Sequence, residues 1–117
     1  MMYSLYCGKD KTLYCCDRDN DTLYGIKKDG TIMFSFSSGD VRGPIGVAAA
    51  GNGNLYVTEW VSNNVHYFTP DGKHKGIMLK KEDGLNRPYG IAFSKKSSKV
   101  FFVYYQEKSV LRLSHYL

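Results

Sequence analysis

Three histidines, His66, His74 and His115, are the side chains of this sequence that could most readily hold a metal ion. Zinc and similar metals need several histidine, cysteine or carboxylate ligands, which in small sites follow one another at short and regular spacings. None of the three histidines has a carboxylate or a cysteine at such a spacing, and neither an HxH nor a CxxC pattern occurs. The sequence therefore predicts no metal site and no other cofactor.

The motifs of nucleophilic and phosphate chemistry are also missing from the sequence. No serine lies in a G-x-S-x-G pattern, and Gly51 and Gly53 belong to a hairpin pattern rather than to a strand–helix junction. Asp17 and Glu59 could form a catalytic pair, but each stands just before a turn. A carboxylate there accepts hydrogen bonds from the N–H groups of the turn. We therefore predict a structural role for both residues and a protein that is not itself an enzyme.

Composition and charge favour a single β-rich domain. The 117 residues include ten tyrosines and twelve glycines but only three prolines, a mixture typical of strands and turns. No apolar run approaches the roughly 20 residues of a membrane helix. The N-terminus lacks the basic and apolar parts of a signal peptide. We expect a cytoplasmic protein without a membrane partner, and the net charge of +5 permits an acidic partner without requiring one.

The three cysteines, Cys7, Cys15 and Cys16, are too few and too odd in number for a disulfide framework. They stand where neighbouring strand patterns have apolar residues. We predict that they are small core residues, as free cysteine commonly is.

Internal repetition decides the predicted fold. The turn Asp29-Gly30 recurs as Asp71-Gly72, and Pro44-x-Gly46 recurs as Pro88-x-Gly90. A period of 42–44 residues with four strands in each unit is typical of β-propeller blades. The predicted strands are 3–7, 12–17, 22–27 and 31–36 in the first blade, 45–49, 54–59, 64–69 and 74–79 in the second, and 89–93, 99–105 and 109–114 in the third.

The order of landmarks within a unit resembles the NHL repeat. It runs Pro-x-Gly-Val/Ile-Ala, Gly-Asn-Leu-Tyr-Val-Thr-Glu, Asn-Asn-Val-x-x-Phe and Asp-Gly. The resemblance extends over nearly the whole chain and is best at 43–80. The first unit lacks the Pro-x-Gly start, and the third has Tyr105 in place of the acidic residue. The resemblance implies an all-β partial propeller in one domain, with blades at about 1–38, 43–80 and 88–117, the last without its outer strand.

NHL propellers usually have six blades, so the resemblance implies about half of a ring. Two explanations stay open: the chain is a piece of a longer protein, or two copies associate to complete one ring. The repeats are similar to those at the C-terminus of tripartite-motif proteins. This implies recognition of a protein or an RNA in a ubiquitin-ligase pathway. Ligase chemistry itself would need a RING domain, which this sequence does not contain.

Propeller topology places five loops on one face, and these loops carry the candidate binding residues. Basic groups beside an exposed aromatic ring suit single-stranded RNA. Trp, Tyr and Arg also dominate protein interfaces. A third explanation is ordinary solvated loop charge, and the acidic residues of the same loops reduce the positive potential. The candidates are Trp60, Arg42, Arg87, Arg18, Tyr105, Lys80, Lys81 and Lys108, whereas the basic run at 95–99 is predicted to be a solvated hairpin on the opposite face.

A propeller enzyme is the alternative class of function. Metal-dependent amidating lyases and lactonase-like hydrolases use similar propellers and bring polar metal ligands to the central channel. The inner strands of this chain carry apolar residues instead, including Ile45, Val47, Ile91 and Phe93. The sequence therefore favours a non-catalytic binding platform for a protein partner, with RNA as the alternative ligand.

Overall fold

The computed structural model describes residues 3–8, 11–61, 63–80, 87–96, 99–107 and 110–116. Every regular element in these ranges is a β-strand. No helix in them is long and apolar enough to cross a bilayer. The strands are β1 (Tyr3–Cys7), β2 (Leu13–Asp17), β3 (Thr22–Ile26), β4 (Ile32–Ser37), β5 (Pro44–Ala49), β6 (Leu55–Glu59), β7 (Asn64–Phe68), β8 (His74–Leu79), β9 (Pro88–Ser94), β10 (Lys99–Glu107) and β11 (Val110–Tyr116).

The strands form three antiparallel meanders that follow one another along the chain. The first sheet has the order β1-β2-β3-β4, the second β5-β6-β7-β8, and the third β9-β10-β11. The predicted all-β class and the partial propeller are confirmed, including the three-stranded last sheet in the described residues. Strand bounds predicted from the repeat agree closely with those observed. The extent of the single domain stays a prediction.

Tight hairpins at repeat-related positions connect the outer pair of strands in the first two sheets. Gly30 and Gly72 occupy them with φ of 92° and 89°, a conformation that glycine adopts without steric cost. Asp29 accepts a 2.9 Å hydrogen bond from the N–H of Thr31, and this bond holds the pKa of Asp29 below its ordinary value. Asp71 accepts a hydrogen bond from the hydroxyl of Thr69, which also lowers the pKa of Asp71. The predicted turn role of both aspartates is confirmed.

Two apolar layers join the sheets to one another. The layer between the first and second sheets contains the edge-to-face pair Phe36 and Phe68, whose ring centroids lie 4.9 Å apart. Its buried members are Tyr14, Cys16, Leu23, Val41, Val47, Ala49, Leu55, Val57 and Phe68. The layer between the second and third sheets is built on Ala50, Tyr56 and Val65, with Ile91 and Phe93 packed against them.

The prediction for the cysteines is confirmed where it can be tested. Cys15 and Cys16 are buried and free. Burial, followed by the carboxylate of Asp17, raises the pKa of Cys15. Burial and the adjacent Cys15 raise the pKa of Cys16 still more strongly. The side chain of Cys7 lies outside the part of the chain that the structure describes.

The strand ends define two faces, which we call upper and lower. The upper face carries the connections after β2, β4, β6, β8 and β10, and the lower face carries the hairpins after β1, β3, β5, β7 and β9. Contacts between sheets fix this alignment at the lower ends. A Cβ at Gly72 would lie 2.5 Å from Phe34 at the start of β4, and one at Gly51 would lie 3.7 Å from Phe93 near the end of β9.

Candidate functional site

Two hydrogen bonds on the upper face join each sheet to the start of the next one. Asp21 Oδ1 accepts from the N–H of Gly43 at 2.7 Å, and Asn63 Oδ1 accepts from the N–H of Arg87 at 2.6 Å. We call these the inter-blade bonds. Their acceptors stand 42 residues apart and have φ of 53° and 59°, a region in which Asp and Asn are enriched. Each donor directly precedes the proline that begins an inner strand, so the bonds set where the next sheet starts.

The loop before β5 is held against the end of β6. The N–H of Arg42 donates to the carboxylate of Glu59, and the N–H of Trp60 donates to the carbonyl of Gly43 at 3.2 Å. Val61 packs on the same loop, because a Cβ at Gly43 would lie 2.7 Å from Val61 Cγ2. Gly43 also has φ of 65°, so glycine suits this position for both reasons. The backbone around Trp60 is therefore fixed from two sides.

The structure places the described candidate residues at the upper ends of the strands. Arg42, Arg87 and Lys80 are exposed and Trp60 is half-buried. Arg18 is partly exposed, and its Nε lies 3.6 Å from Asp19 Oδ1. The backbone of Tyr105 lies in the upper part of β10, and its side chain lies outside the described part. Lys81 and Lys108 also lie outside it. The proposed binding role of these residues stays a prediction.

The predicted turn role is confirmed for Asp17 and needs correction for Glu59. Asp17 accepts a 3.3 Å bond from the N–H of Asn20 and a 2.7 Å bond from its side-chain amide. Glu59 instead accepts from the N–H of Arg42, which belongs to the preceding loop, and from Asn64 Nδ2 at 2.9 Å. Glu59 differs from Asp17 for two reasons. The N–H of Arg42, in the loop before β5, lies close enough to donate to it, and His66 in β7 lies beside it.

Glu59 begins a buried chain of three titratable side chains. His66 Nε2 lies 3.0 Å from Glu59 Oε1, and His66 Nδ1 lies 2.9 Å from His74 Nε2. Glu59 and His66 are fully buried, whereas His74 is half-buried and packs beside the rings of Phe36 and Phe68. Spacing in sequence did not reveal this chain. Strand pairing could have revealed it, since His66 faces Val57 across the sheet and Glu59 lies two residues further along β6 on the same side.

The chain of hydrogen bonds limits how many protons it can hold. With a hydrogen on Nε2 of each ring, His74 donates to His66 and His66 donates to Glu59. The contact between the two histidines needs one ring nitrogen as donor and the other as acceptor, because hydrogens on both facing nitrogens would oppose each other at 2.9 Å.

The pKa shifts agree with this geometry. Burial raises the pKa of Glu59, but hydrogen bonds from His66, the Arg42 backbone and Asn64 outweigh burial, so the net shift is downward. Burial first, and then the proximity of His66, lowers the pKa of His74, while Asp40 and Glu59 act in the opposite direction. The pKa values of Glu59 and His74, the two ends of the buried chain, are therefore both below their ordinary values.

Metal ligands do not converge in the described part of the protein. No group of three or more His, Cys, Asp or Glu side chains there is arranged to hold a metal ion. Glu59, His66 and His74 lie close together, but both nitrogens of His66 are already used by its neighbours. His115 lies in β11, and its side chain is not described.

No protein-family model and no curated protein matches this chain. Solved structures do match it. Streptogramin B lyase is 23% identical with a TM-score of 0.70, and the match covers 97% of this chain and 36% of the lyase. A catalytically inactive histidine-to-alanine variant of virginiamycin B lyase from Staphylococcus aureus, with quinupristin, is 18% identical with a TM-score of 0.67. That match covers 93% of this chain and 39% of the lyase.

A protein of unknown function from Bacteroides caccae is also similar, with 16% identity and a TM-score of 0.61 over 95% of this chain and 44% of that protein. At such identities the likeness shows the fold alone. The chain adopts a partial β-propeller fold and spans less than half the length of these proteins. The comparisons provide no support for NHL repeats in particular, so that resemblance stays a prediction.

Proposed function

We propose that this chain is a non-catalytic binding platform whose upper face holds a protein partner. The observation that carries the proposal is the pair Trp60 and Val61 on a loop of fixed backbone. Val61 is 52% exposed although it is a large apolar residue, and the half-buried Trp60 stands beside it. Exposed apolar groups next to an arginine are typical of the centre of a protein interface.

The surroundings of Trp60 favour a protein over a polyanion. Arg42 and Arg18 are balanced on this face by Asp19 and Asp40, so the described surface carries both signs. Mixed charge around an apolar centre suits the polar rim of a protein interface. The hydrogen bonds of the Gly43 loop hold the surface in place before binding, which lowers the entropy cost of association. Substrate recognition in a ubiquitin-ligase pathway is the finer form of this proposal and rests on the NHL resemblance alone.

Site-specific photocrosslinking tests the platform. A photoreactive amino acid at Val61 should form one defined adduct with a protein partner in a cell extract, whereas the same group at exposed Ser35 in β4 should not. Trp60→Ala should abolish the adduct, and Lys95→Gln in a lower hairpin should leave it unchanged. No adduct at Val61, or equal adducts at both positions, would contradict the proposal.

A propeller lyase is the second candidate function, because the similar structures include proteins named as streptogramin B and virginiamycin B lyases. This chain spans less than two fifths of either protein, so the activity would belong to a more complete ring. Incubation of the purified protein with virginiamycin B, followed by mass spectrometry of the antibiotic, tests the idea. Unchanged antibiotic at high protein concentration, with and without added divalent metal, would rule it out for this chain.

A further inference from the structure

The lower face carries most of the positive charge of the described protein. Its hairpins and adjoining strand ends contain eight lysines, of which all except half-buried Lys99 are exposed. Only two described acidic residues share this face. The eight are Lys11, Lys27, Lys28, Lys73, Lys75, Lys95, Lys96 and Lys99.

The two acidic residues are occupied within their own turns. Asp29 accepts from the Thr31 backbone, and Asp71 accepts from Thr69. Lys73 Nζ approaches Asp71 only to 4.0 Å, and both side chains are largely exposed to solvent, where such a pair contributes little. The seven exposed lysines of this face therefore outnumber its two described carboxylates.

The upper face carries charges of both signs in nearly equal number. Its described positive residues are Arg18, Arg42, Lys80 and Arg87, and its exposed or partly exposed acidic residues are Asp19, Asp21 and Asp40, because Asp17 and Glu59 are buried. The net charge of +5 is thus not spread evenly over the molecule. A surface of one sign separated from a mixed surface points to an anionic partner on the lower side.

Apolar groups accompany the lysines at the lower end of the first sheet. Ile32 and Met33 begin β4 and are 58% and 42% exposed. Met33 lines a cavity of about 620 Å³ together with Thr12, Lys27, Lys28 and Asp29, so two lysines face one carboxylate there. Exposed aliphatic side chains beside lysines allow shallow insertion between lipid head groups while the ammonium groups contact phosphates.

We propose that the lower face docks on an anionic lipid bilayer. Ile32 and Met33 enter the head-group region, and Lys27 and Lys28 at the cavity contact lipid phosphates. Each of the remaining lysines adds electrostatic attraction to the negatively charged surface, and salt screens this attraction. This proposal departs from the expectation of no membrane partner, which rested on the lack of a spanning segment, because the contact proposed here is peripheral. It is separate from the upper face and does not depend on the protein-binding proposal.

Vesicle sedimentation at about 50 mM and 200 mM salt, concentrations chosen to bracket strong and moderate screening, tests the docking. Binding to vesicles that contain phosphatidylserine should exceed binding to phosphatidylcholine vesicles and should weaken at the higher salt. Lys27→Gln with Lys28→Gln should reduce the partition coefficient roughly tenfold or more. Arg42→Gln with Arg87→Gln removes the same net charge from the upper face and should change it less than about twofold. Ile32→Ser should weaken binding severalfold at both salt concentrations.

Three results would overturn the proposal. One is the absence of binding to phosphatidylserine vesicles at the lower salt concentration. A second is an equal loss in the lysine pair and the arginine pair, which would mean that net charge alone acts. The third is tighter binding of a single-stranded oligonucleotide or of polyglutamate than of vesicles at the same salt concentration. Circular dichroism of each variant confirms that the fold is retained.

Discussion

His66 Nε2 lies 3.0 Å from Glu59 Oε1 in a place where both side chains are fully buried. Glu59 also receives the N–H of Arg42 and the amide of Asn64, so one carboxylate satisfies donors from the preceding loop and from the neighbouring strand. Buried polar groups are costly when they lose their partners. Glu59 therefore connects the loop between the first two sheets to strand β7 of the second sheet.

Removal of the Glu59 carboxylate should destabilise the protein strongly. Glu59→Ala leaves His66, Asn64 and the Arg42 N–H without an acceptor in a buried place, which should cost about 3–5 kcal/mol. Glu59→Gln keeps one acceptor and should cost about 1–3 kcal/mol. Urea unfolding followed by tryptophan fluorescence measures both values. Equal and small effects of the two variants would show that the buried bonds contribute little.

The buried chain also predicts acid sensitivity in two pH ranges. The pKa of His74 is below its ordinary 6.5, so the unfolded chain takes up a proton first, and stability should fall as pH drops below about 6.5. The pKa of Glu59 is below its ordinary 4.5, so a further loss should follow as pH falls below about 4.5. His74→Gln should remove the first loss and leave the second. The unfolding free energy measured from about pH 8 to about pH 3 covers both ranges, and an unchanged slope near pH 6 in the variant would contradict the assignment.

The stability contributed by the inter-blade bonds should depend on the acceptor oxygen of Asp21 or Asn63 and not on the charge of the side chain. Asp21→Ala loses the bond to the Gly43 N–H and places alanine at positive φ, which together should cost about 2–3 kcal/mol. Asp21→Asn keeps the acceptor and tolerates the same φ, so its cost should stay below about 1 kcal/mol. The same comparison with Asn63→Ala and Asn63→Asp provides an internal repeat of the experiment. Equal unfolding free energies for Asp21→Ala and Asp21→Asn would contradict the proposed role.

Gly30 and Gly72 form a matched pair that separates backbone strain from packing. Both occupy the same repeat position with nearly equal positive φ, but a Cβ meets nothing within 4 Å at Gly30 and meets Phe34 at Gly72. Gly30→Ala should cost about 1–2 kcal/mol from backbone strain alone. Gly72→Ala should cost a further ~1–3 kcal/mol, because the Phe34 ring must move. In a Phe34→Ala background the difference between the two glycine variants should disappear, and its persistence would count against the packing explanation.

The repeat made the fold predictable because periodic turns and strand alternation are local properties of the sequence. Asp29-Gly30 and Asp71-Gly72 identified their hairpins correctly for this reason. The Glu59–His66–His74 chain was not predictable by ligand spacing, because its members come from three strands and meet only when side chains on one side of the sheet are considered together. The hydrogen bond that the Arg87 N–H donates to Asn63 Oδ1 was also not predictable from motifs, because the backbone of Arg87 makes it and not the side chain.

The distribution of charge also required the topology. Lys27 and Lys73 belong to different repeats and lie far apart in sequence, so composition could report only the total charge. Alternation of the hairpins between two ends of the sheets decides which lysines share a surface. Once the strand order is known, no side-chain detail is needed to see the separation of charge.

The inter-blade bonds have a consequence for how the sheets are held in sequence. Each bond ties the end of one sheet to the start of the next through residues about one half-period apart in the chain. The connection between neighbouring blades is therefore made by the chain itself and needs no closed ring. A further repeat with Asp or Asn at the matching position would be attached to its neighbour by the same kind of bond.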